Sequence, residues 1–325
     1  MSALAPGVAD VSVIVPSYNP GDRLARALRS VQAQTVRPRE IIVVDDGSTD
    51  GTPARLAAMF PDVRCEVQRN QGAAAARNHG VRLATSTFVG FVDADDEWAP
   101  RKLERQLAVF AAQPAIGLLA CLMVFAGPDT RVDEAPPRPD RQVGELRYAD
   151  LLAGAGGYFV SASYLLRRAV FLEVGGFDER LRSGHDTEFF LRLMHRGHSF
   201  RVLHEPLYVW HLDAGSLSGG GVSPRRAVNI VTALRGQPHP ADRLQGVSLV
   251  SDAEYEGAVT AAIRAAAVAH GNAGQWEGAS QWFDALGERV SGPRRLGAQL
   301  TARFPARAFA VRGRLRGAWA KLRRR

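Results

Sequence analysis

The fold is decided by the stretch Phe88-Val89-Gly90-Phe91-Val92-Asp93-Ala94-Asp95-Asp96-Glu97-Trp98. Its first five residues are mostly apolar and predict a buried strand, and three aspartates follow within four positions. A strand that ends in this way delivers acidic side chains to the edge of a sheet, where a ligand can reach them. Carboxylates this close together repel one another unless a cation or a strong hydrogen-bond donor lies between them.

A solvated turn is the alternative interpretation of the same stretch. Short acidic segments often precede helices, and Asp96 could cap a helix that begins near Pro100. The choice between a turn and a ligand site depends on where the other polar strand ends fall.

Strands and helices alternate along the first half of the chain. β-Branched runs predict the strands, and apolar residues at steps of three and four predict the helices. Such short alternating units are typical of an α/β fold, a mostly parallel sheet with helices on both faces. The predicted strands are residues 11–15, 40–44, 63–67, 88–92, 116–125, 158–167, 201–203 and 207–210, and the predicted helices are 22–34, 52–59, 73–84, 100–112, 168–174 and 189–196.

Polar groups follow three of these strands at their carboxyl ends. Tyr18 follows the first strand, Asp45 and Asp46 follow the second, and the acidic cluster at 93–96 follows the fourth. In open α/β sheets, ligands bind outside the carboxyl ends of the strands. We therefore expect these side chains to share one crevice.

Composition is ordinary for a globular protein, with 325 residues of which 46% are hydrophobic. Cys65 and Cys121 fall in apolar segments without metal-ligand spacing, which favours buried thiols in a reducing compartment. Residues 1–10 lack a signal pattern, and the longest apolar run, 115–126, is too short to span a bilayer. We expect a cytoplasmic protein whose contact with a membrane, such as the inner face of the plasma membrane, is peripheral.

The net charge of +8 comes almost entirely from arginine, since Lys102 and Lys321 are the only lysines. Arginine and alanine usage of this kind is typical of GC-rich genomes. No nucleic-acid recognition motif accompanies the charge, so we expect no nucleic-acid partner.

Six short motifs lie in order along the chain: Val13-Ile14-Val15-Pro16-Ser17-Tyr18-Asn19; Val43-Val44-Asp45-Asp46-Gly47-Ser48-Thr49-Asp50; Asn70-X-Gly72 with Ala76-Arg77-Asn78-X-Gly80; Asp93-Ala94-Asp95-Asp96; Gly175-Gly176-Phe177-Asp178-Glu179; and Asp186 with Leu191-Arg192. In these motifs and their order, residues 10–218 resemble the family 2 glycosyltransferases. One motif alone is weak, but six in order are specific. The resemblance implies a Rossmann-like nucleotide-diphospho-sugar transferase fold and sugar transfer with inversion.

The character of the sequence changes after residue 223 and divides the chain into two regions. Residues 1–223 are expected to form the catalytic domain, and residues 224–325 an Ala-rich helical region that ends in a basic tail. The Pro-rich, charged segment 127–143 is predicted to be a loop or lid.

A metal ion is implied on the donor side of the reaction. A nucleotide-diphosphate leaving group gains negative charge as the glycosidic bond breaks, and Mg²⁺ or Mn²⁺ on its phosphates stabilises that charge. These ions prefer oxygen ligands. Asp95 and Asp96 are the expected metal ligands, and Asp93 is expected to face the ribose or the metal.

The remaining donor contacts follow from the matched motifs. The resemblance implies that Asp46 contacts the base and that the first motif contributes Pro16, Tyr18 and Asn19 to the nucleotide-sugar site. Arg77 is expected to approach the nucleotide or diphosphate, with a surface salt bridge as the alternative. His211 resembles a late histidine that meets the diphosphate or metal, although a single histidine is more often structural. Two aromatic residues, Trp98 and Tyr158, could stack on a sugar or pack in the core.

Inversion also requires a base that takes the proton of the acceptor hydroxyl. The resemblance places a carboxylate at a helix N-terminus for this role, which corresponds to Asp186; the alternative is a helix-capping acid. The family usually has an acid immediately before this aspartate, whereas this chain has His185. This departure puts the acceptor contacts in doubt more than the base. The expected acceptor is a glycan or lipid-linked precursor in cell-envelope or exopolysaccharide synthesis.

Three other functions fit part of the same sequence pattern. A haloacid-dehalogenase-like hydrolase also has Asp-X-Asp after an apolar strand, but on its first strand and without a third aspartate. A sugar nucleotidyltransferase needs a Gly-rich basic loop after the first strand, which residues 16–20 lack. A catalytically dead binding module is disfavoured by the retained acids.

The C-terminal tail has an amphipathic pattern. Apolar residues recur at helical spacing from Phe304 to Leu322, and arginines and one lysine fill the other faces without an acid. A basic amphipathic helix of this kind fits an anionic membrane surface. A helix that docks on the domain with a solvated basic end is the alternative.

Deletion of residues 304–325 tests the membrane interpretation. Because the tail supplies both the apolar stripe and the positive charge, the deletion should release the protein from anionic vesicles in a sedimentation assay. Unchanged binding to the vesicles would reject the interpretation.

Overall fold

The computed structural model describes residues 5–126, 144–145, 160–181 and 184–211. The strands are β1 (Val8–Ser17), β2 (Arg37–Asp45), β3 (Arg64–Val67), β4 (Phe88–Phe91), β5 (Glu97–Trp98), β6 (Ile116–Ala126), β7 (Gly144–Glu145), β8 (Tyr164–Arg167) and β9 (Ser199–His211), and the helices are α1 (Arg23–Gln32), α2 (Thr52–Met59), α3 (Ala73–Leu83), α4 (Lys102–Ala112), α5 (Arg168–Val174) and α6 (His185–His195).

These strands form one sheet in the order β3-β2-β1-β4-β8-β6-β9-β5, with β7 paired to β9. The first four strands are parallel, as the alternation of strands and helices predicts. The α/β prediction is therefore confirmed. The other half of the sheet is mixed, because β8 runs antiparallel to both β4 and β6. The regular strand–helix alternation ends after β4, where the acidic segment leads into the short strand β5.

Helices cover the sheet on both faces. Alternate residues of β1 point to opposite sides: Val13 and Val15 pack in one apolar cluster, and Ile14 packs in the other. The first cluster includes buried residues of α1, α2 and α4, and the second includes those of α3, α5 and α6. Such burial on both faces explains the unbroken apolar runs in β1 and β2.

Helix α3 packs very closely on the sheet at Gly80. A Cβ atom at this position would lie 2.3 Å from Cγ2 of Ile14 in β1. The absence of a side chain therefore allows the helix to approach the strand. This close contact holds α3, the helix that carries Arg77, against β1.

Several predicted elements have different bounds in the structure, and four of them differ most clearly. Of the strand predicted at 158–167, the described residues begin at 160, and within them the strand comprises Tyr164–Arg167 and follows a 3₁₀ turn at Ser161–Ser163. The two strands predicted at 201–203 and 207–210 are one strand, β9, which tolerates irregularities in its pairing with β6. The helix predicted at 189–196 begins at His185 instead, because Gly184 adopts a φ of 81° and ends the preceding segment.

Residues 94 and 95 form a turn, but the acidic stretch as a whole is not solvated, because Asp96 and Trp98 are buried. Glu97 and Trp98 form β5, which pairs with β9, and Trp98 is buried in the core with its Nε1 donating to the carbonyl oxygen of Ala162 at 3.2 Å. Helix α4 is preceded by Arg101, so the suggestion that Asp96 caps this helix is wrong. Of the two roles considered for Trp98, the core role is confirmed.

Several predictions lie outside the described residues. They concern the loop at 127–143, Tyr158, the helical region 224–325 and the amphipathic tail. None of the helices in the described part of the chain combines the length and hydrophobicity that a membrane span requires.

Lys102 is a fully buried cation in the first turn of α4. Its Nζ donates to Oε1 of Gln106 at 2.8 Å and lies 4.0 Å from the centre of the Trp98 ring. Among the described residues it forms no ion pair with a carboxylate. Burial therefore lowers the pKa of Lys102 from 10.5 to about 8.

Lys102→Met should stabilise the protein at neutral pH. Because the pKa of Lys102 is lower in the folded state, the folded chain binds fewer protons between pH 8 and 10.5, and stability rises with pH through that window. Below pH 8 the buried charge costs about 3 kcal/mol, partly offset by the contacts of the ammonium group. Denaturation at several pH values should show a variant more stable by about 1–3 kcal/mol at pH 7, with the difference shrinking toward pH 10. A difference that does not depend on pH would contradict this account.

Candidate active site

The carboxyl ends of β1, β2 and β4 meet at one edge of the sheet. Ser17 at the end of β1 lies opposite Asp45 at the end of β2, and β4 flanks β1 on its other side. Pro16 is buried within β1 and faces Val44. The polar segments that follow these strands therefore emerge side by side.

Two of these segments are joined by reciprocal hydrogen bonds. The backbone N–H of Asn19 donates to Oγ of Ser48 at 2.8 Å, and the backbone N–H of Thr49 donates to Oδ1 of Asn19 at 2.8 Å. Asn19 adopts a φ of 45°, which asparagine tolerates better than most residues. Tyr18 next to it is 55% exposed.

Asp46 organises the segment that enters α3. Its buried carboxylate accepts hydrogen bonds from Nε2 of Gln68 at 2.8 Å and from the backbone N–H groups of Gln71 at 2.9 Å and Gly72 at 2.8 Å. Oε1 of Gln68 lies 2.8 Å from Nδ1 of His79, which extends the chain of contacts onto α3. These contacts of Asp46 therefore hold in place the loop that leads into α3, next to the place where the nucleobase is expected.

The first acid of the cluster is ion-paired. Asp93 accepts a hydrogen bond from Nη2 of Arg77. Arg77 is only 5% exposed, so the surface salt bridge considered for it is wrong. The backbone oxygen of Asp95 accepts from Nη2 of Arg26 at 2.6 Å.

Asp96 is more deeply buried than Asp93 and Asp95. One carboxylate oxygen accepts from the Tyr208 hydroxyl group and the other accepts from the backbone N–H of His211 at 2.9 Å. Burial, together with the negative charges of Asp93 and Asp95, raises the pKa of Asp96 to about 8. The two donors only partly offset this effect.

His211 reaches the same place from the end of β9. Its ring Nε2 lies 2.7 Å from Oε1 of Glu97, and the same carboxylate oxygen lies 3.4 Å from Nε of Arg26. The ring therefore contacts a protein carboxylate, and the backbone of His211 supports Asp96.

Arg77 lies between the acidic cluster and the start of α6. In addition to its contact with Asp93, its Nη1 lies 2.9 Å from Nε2 of His185. The same Nε2 lies 3.1 Å from Oδ1 of Asp186. Although burial opposes the charge, the nearby carboxylates of Asp93 and Asp186 raise the pKa of Arg77 above its ordinary value. One guanidinium group thus connects Asp93 to His185 and Asp186, more than 90 residues away along the chain.

Three residues of the site were not predicted from the sequence. Tyr208 and Arg26 contact the acidic segment, and the buried Tyr164 lies near the charges of Arg77, Asp93 and Asp186. Burial raises the pKa of the Tyr164 phenol well above its ordinary value, and the charge of Asp186 adds to this effect. The only available signal was a tyrosine within an apolar strand, which is equally typical of core packing.

The fit of a divalent cation can be judged from the acids themselves. Burial and the negative charges of Asp93 and Asp95 raise the pKa of Asp96, and a cation would relieve the repulsion between these carboxylates. However, the oxygens of Asp96 have protein donors, and within the described ranges no group of three His, Cys, Asp or Glu residues could hold a metal ion by itself. Mg²⁺ commonly binds through one or two carboxylates together with substrate phosphates, which suits this set of oxygen donors.

Asp46→Asn should loosen the loop before α3. Asparagine has one acceptor oxygen, and its NH₂ group cannot accept from the N–H of Gly72, so at least one buried donor loses its partner. We expect a loss of about 1–3 kcal/mol in the free energy of unfolding, measured by urea denaturation. Asp62→Asn, at an exposed position between α2 and β3, is the matched control. Equal stability of the two variants would show that the Asp46 contacts contribute nothing.

Comparison with known proteins shows which family has this arrangement. Residues 12–175, about half of the chain, match the family model "Glycosyl transferase family 2". The succinoglycan biosynthesis protein ExoU of Rhizobium meliloti is 31% identical over 275 residues, which cover 78% of this chain and 74% of the relative. An uncharacterized glycosyltransferase of Nostoc is 37% identical over 167 residues, which cover 50% of this chain and 52% of the relative.

A solved structure has the same fold. The mannosyltransferase PcManGT from Pyrobaculum calidifontis, in complex with GDP-Man and Mn²⁺, superposes with a TM-score of 0.55 over 96% of this chain and 86% of that chain, at 22% identity. At this identity the likeness concerns the fold, which is that of a nucleotide-sugar transferase. On the family match and the shared sequence, the chain belongs to glycosyl transferase family 2.

Proposed function

We propose that the protein is a metal-dependent, inverting glycosyltransferase. It transfers a sugar from a nucleotide-diphosphate sugar to a hydroxyl group of a glycan or lipid-linked acceptor. The observation that carries the proposal is the convergence of Asp93, His185 and Asp186 on Arg77, since donor-side and acceptor-side groups then share one crevice. The name of the ExoU relative favours a role in exopolysaccharide or cell-envelope synthesis. Action at the inner face of the plasma membrane is part of the proposal and depends on the basic tail.

The donor side of the site is the edge formed by β1, β2 and β4. The exposed ring of Tyr18, the segment held by Asp46 and the linked turns around Asn19 form a surface on which a nucleoside can lie. Arg77 and Asp93 stand next to this surface, where Asp93 can accept from a ribose hydroxyl. Pro16 supports this surface from its buried position in β1.

Asp95 is the carboxylate that we assign to a Mg²⁺ or Mn²⁺ ion. Asp96 is assigned a supporting role rather than a ligating one, because its oxygens accept from the Tyr208 hydroxyl group and the backbone N–H of His211. When bound, the cation stabilises the negative charge of the departing diphosphate. The solved structure of PcManGT in complex with Mn²⁺ is consistent with such a requirement. We assign His211 a supporting role, because its backbone N–H donates to Asp96 and its ring contacts Glu97. It is therefore not our first candidate for a metal ligand.

Asp186 is the proposed base. It lies in the first turn of α6, next to the cluster that holds the donor side. Its carboxylate accepts the proton of the acceptor hydroxyl while that oxygen attacks the anomeric carbon and the diphosphate leaves from the opposite face. A single displacement of this kind inverts the anomeric configuration.

The two other enzyme classes considered do not suit the chain. Its acidic motif follows β4, the fourth strand in sequence, whereas a haloacid-dehalogenase-like hydrolase has its motif on the first strand. The segment after β1 lacks the Gly-rich basic loop of a sugar nucleotidyltransferase. Membership of glycosyl transferase family 2 is the stronger argument against both.

Two aspartate variants separate donor binding from transfer. A panel of nucleotide sugars is first tested for turnover with Mn²⁺ and Mg²⁺, and the best donor is used for calorimetry and kinetics. Asp95→Asn should remove the metal dependence of donor binding. Asp186→Asn should bind the donor within about threefold of wild type and lower kcat by about 10²–10⁴-fold, as expected for loss of a general base.

Asp62→Asn controls for the loss of one negative charge at an exposed position. Metal-dependent donor binding that survives Asp95→Asn would refute the metal assignment. Parallel loss of binding and transfer in Asp186→Asn would mean that this residue maintains the structure instead of acting as the base.

A further inference from the structure

We propose that Arg26 is a positioning residue for the metal ligand Asp95. From helix α1 it binds the backbone of the acidic segment at Asp95, and it thereby fixes the place from which the Asp95 carboxylate reaches the cation. The inference deepens the proposed function and rests on it, because it concerns the residue assigned there as the metal ligand.

Arg26 contacts the acidic segment at two residues. Its Nη2 donates to the backbone oxygen of Asp95 at 2.6 Å, and its Nε lies 3.4 Å from Oε1 of Glu97. A charged donor of this kind makes a stronger hydrogen bond than a neutral one. Because the first contact is made to the backbone, it occupies neither carboxylate oxygen of Asp95. The second reaches a carboxylate that also lies 2.7 Å from the ring of His211, so the segment is held between α1 and the end of β9.

Arg26 is the first of three side chains that bind this segment from α1. Ser30 in the helix and Gln34 just after it follow at steps of four, a spacing that places side chains on one face. Oγ of Ser30 accepts from the backbone N–H of Trp98 at 3.1 Å, and Nε2 of Gln34 donates to the backbone oxygen of Ala99 at 2.7 Å. One side of α1 therefore sets the path of the backbone that carries the acids.

Asp95 lies where the segment depends most on such a contact. It is part of the turn between β4 and β5, before the pairing with β9 that begins at Glu97. A carboxylate on a loosely held turn must be ordered when a cation binds, and the lost conformational freedom lowers the affinity. The hydrogen bond from Arg26 orders the backbone of Asp95 in advance. Loss of a contact that supports a metal ligand typically lowers metal affinity by about 10–100-fold.

The charge of Arg26 separates this role from two others. A guanidinium group repels a divalent cation, so loss of its charge alone would leave Mn²⁺ binding unchanged or make it tighter. Loss of a positioning contact instead makes Mn²⁺ binding weaker. A direct contact of Arg26 with the donor phosphates would differ from both, since its loss would weaken nucleotide binding even at saturating Mn²⁺.

Arg26→Met removes the hydrogen-bond donor and the charge but keeps a long, helix-forming side chain. Binding of the nucleoside diphosphate of the best donor in the panel is measured by calorimetry over a series of Mn²⁺ concentrations. The Mn²⁺ concentration that gives half of the full effect should rise by about 10–100-fold, and the affinity at saturating Mn²⁺ should return to within about threefold of wild type. Arg26→Lys, which keeps the charge but lacks the planar fork of donors, should give an intermediate value.

Arg29→Met is the matched control, because Arg29 lies in the same helix with an exposed side chain. It should leave the Mn²⁺ requirement at the wild-type value. The proposal is overturned if Arg26→Met needs no more Mn²⁺ than Arg29→Met. It is also overturned if saturating Mn²⁺ does not restore the affinity, since Arg26 would then act on the phosphates.

Hydrogen–deuterium exchange without metal provides a second readout. Arg26→Met should exchange faster than wild type and Arg29→Met at residues 94–98, with unchanged exchange in β1 and β2. Unchanged exchange at 94–98, or faster exchange spread over the sheet, would overturn the proposal. If Mn²⁺ does not affect the binding of any nucleoside diphosphate to the wild-type protein, the metal assignment of the proposed function fails. The exchange result still decides whether Arg26 holds the backbone at Asp95.

Discussion

The structure depends on one buried guanidinium group. Arg77 is almost fully enclosed, and a buried cation of this kind is stable only if acceptors surround it. Those acceptors come from the segment after β4, through Asp93, and from the first turn of α6, through His185, with Asp186 close by. Because the three segments must meet at Arg77, the charge of a single side chain fixes the relation between the donor edge and the proposed base.

The acids around this group differ in their surroundings, and the difference gives each a separate task. Asp46 is saturated by donors of the loop before α3, and Asp96 is held by Tyr208 and His211. These two carboxylates hold the protein segments around the site in place. Asp93 is instead paired with Arg77, and the carboxylate of Asp186 lies next to His185.

Much of the first half of the fold could be predicted because local patterns determine it. Helix α2 has the predicted bounds, and the strand that delivers the acidic cluster was identified from its apolar run. The mixed half of the sheet could not be predicted, because the direction of β8 depends on pairing with β4 and β6. The contact of Tyr208 with Asp96 spans 112 residues and depends on strand register, which no local pattern reveals. The burial of Arg77 could not be predicted either, because its partners Asp93 and His185 lie 16 and 108 residues away along the chain.

Hydrogen–deuterium exchange of Arg77→Lys tests the central claim most directly. Lysine keeps the positive charge but cannot direct planar N–H groups to Asp93 and His185 together. The account predicts faster exchange at both residues 93–98 and residues 184–190, with unchanged exchange in β1 and β2. Faster exchange at only one of these segments, or at neither, would contradict the claim that one guanidinium group joins the two sides of the site.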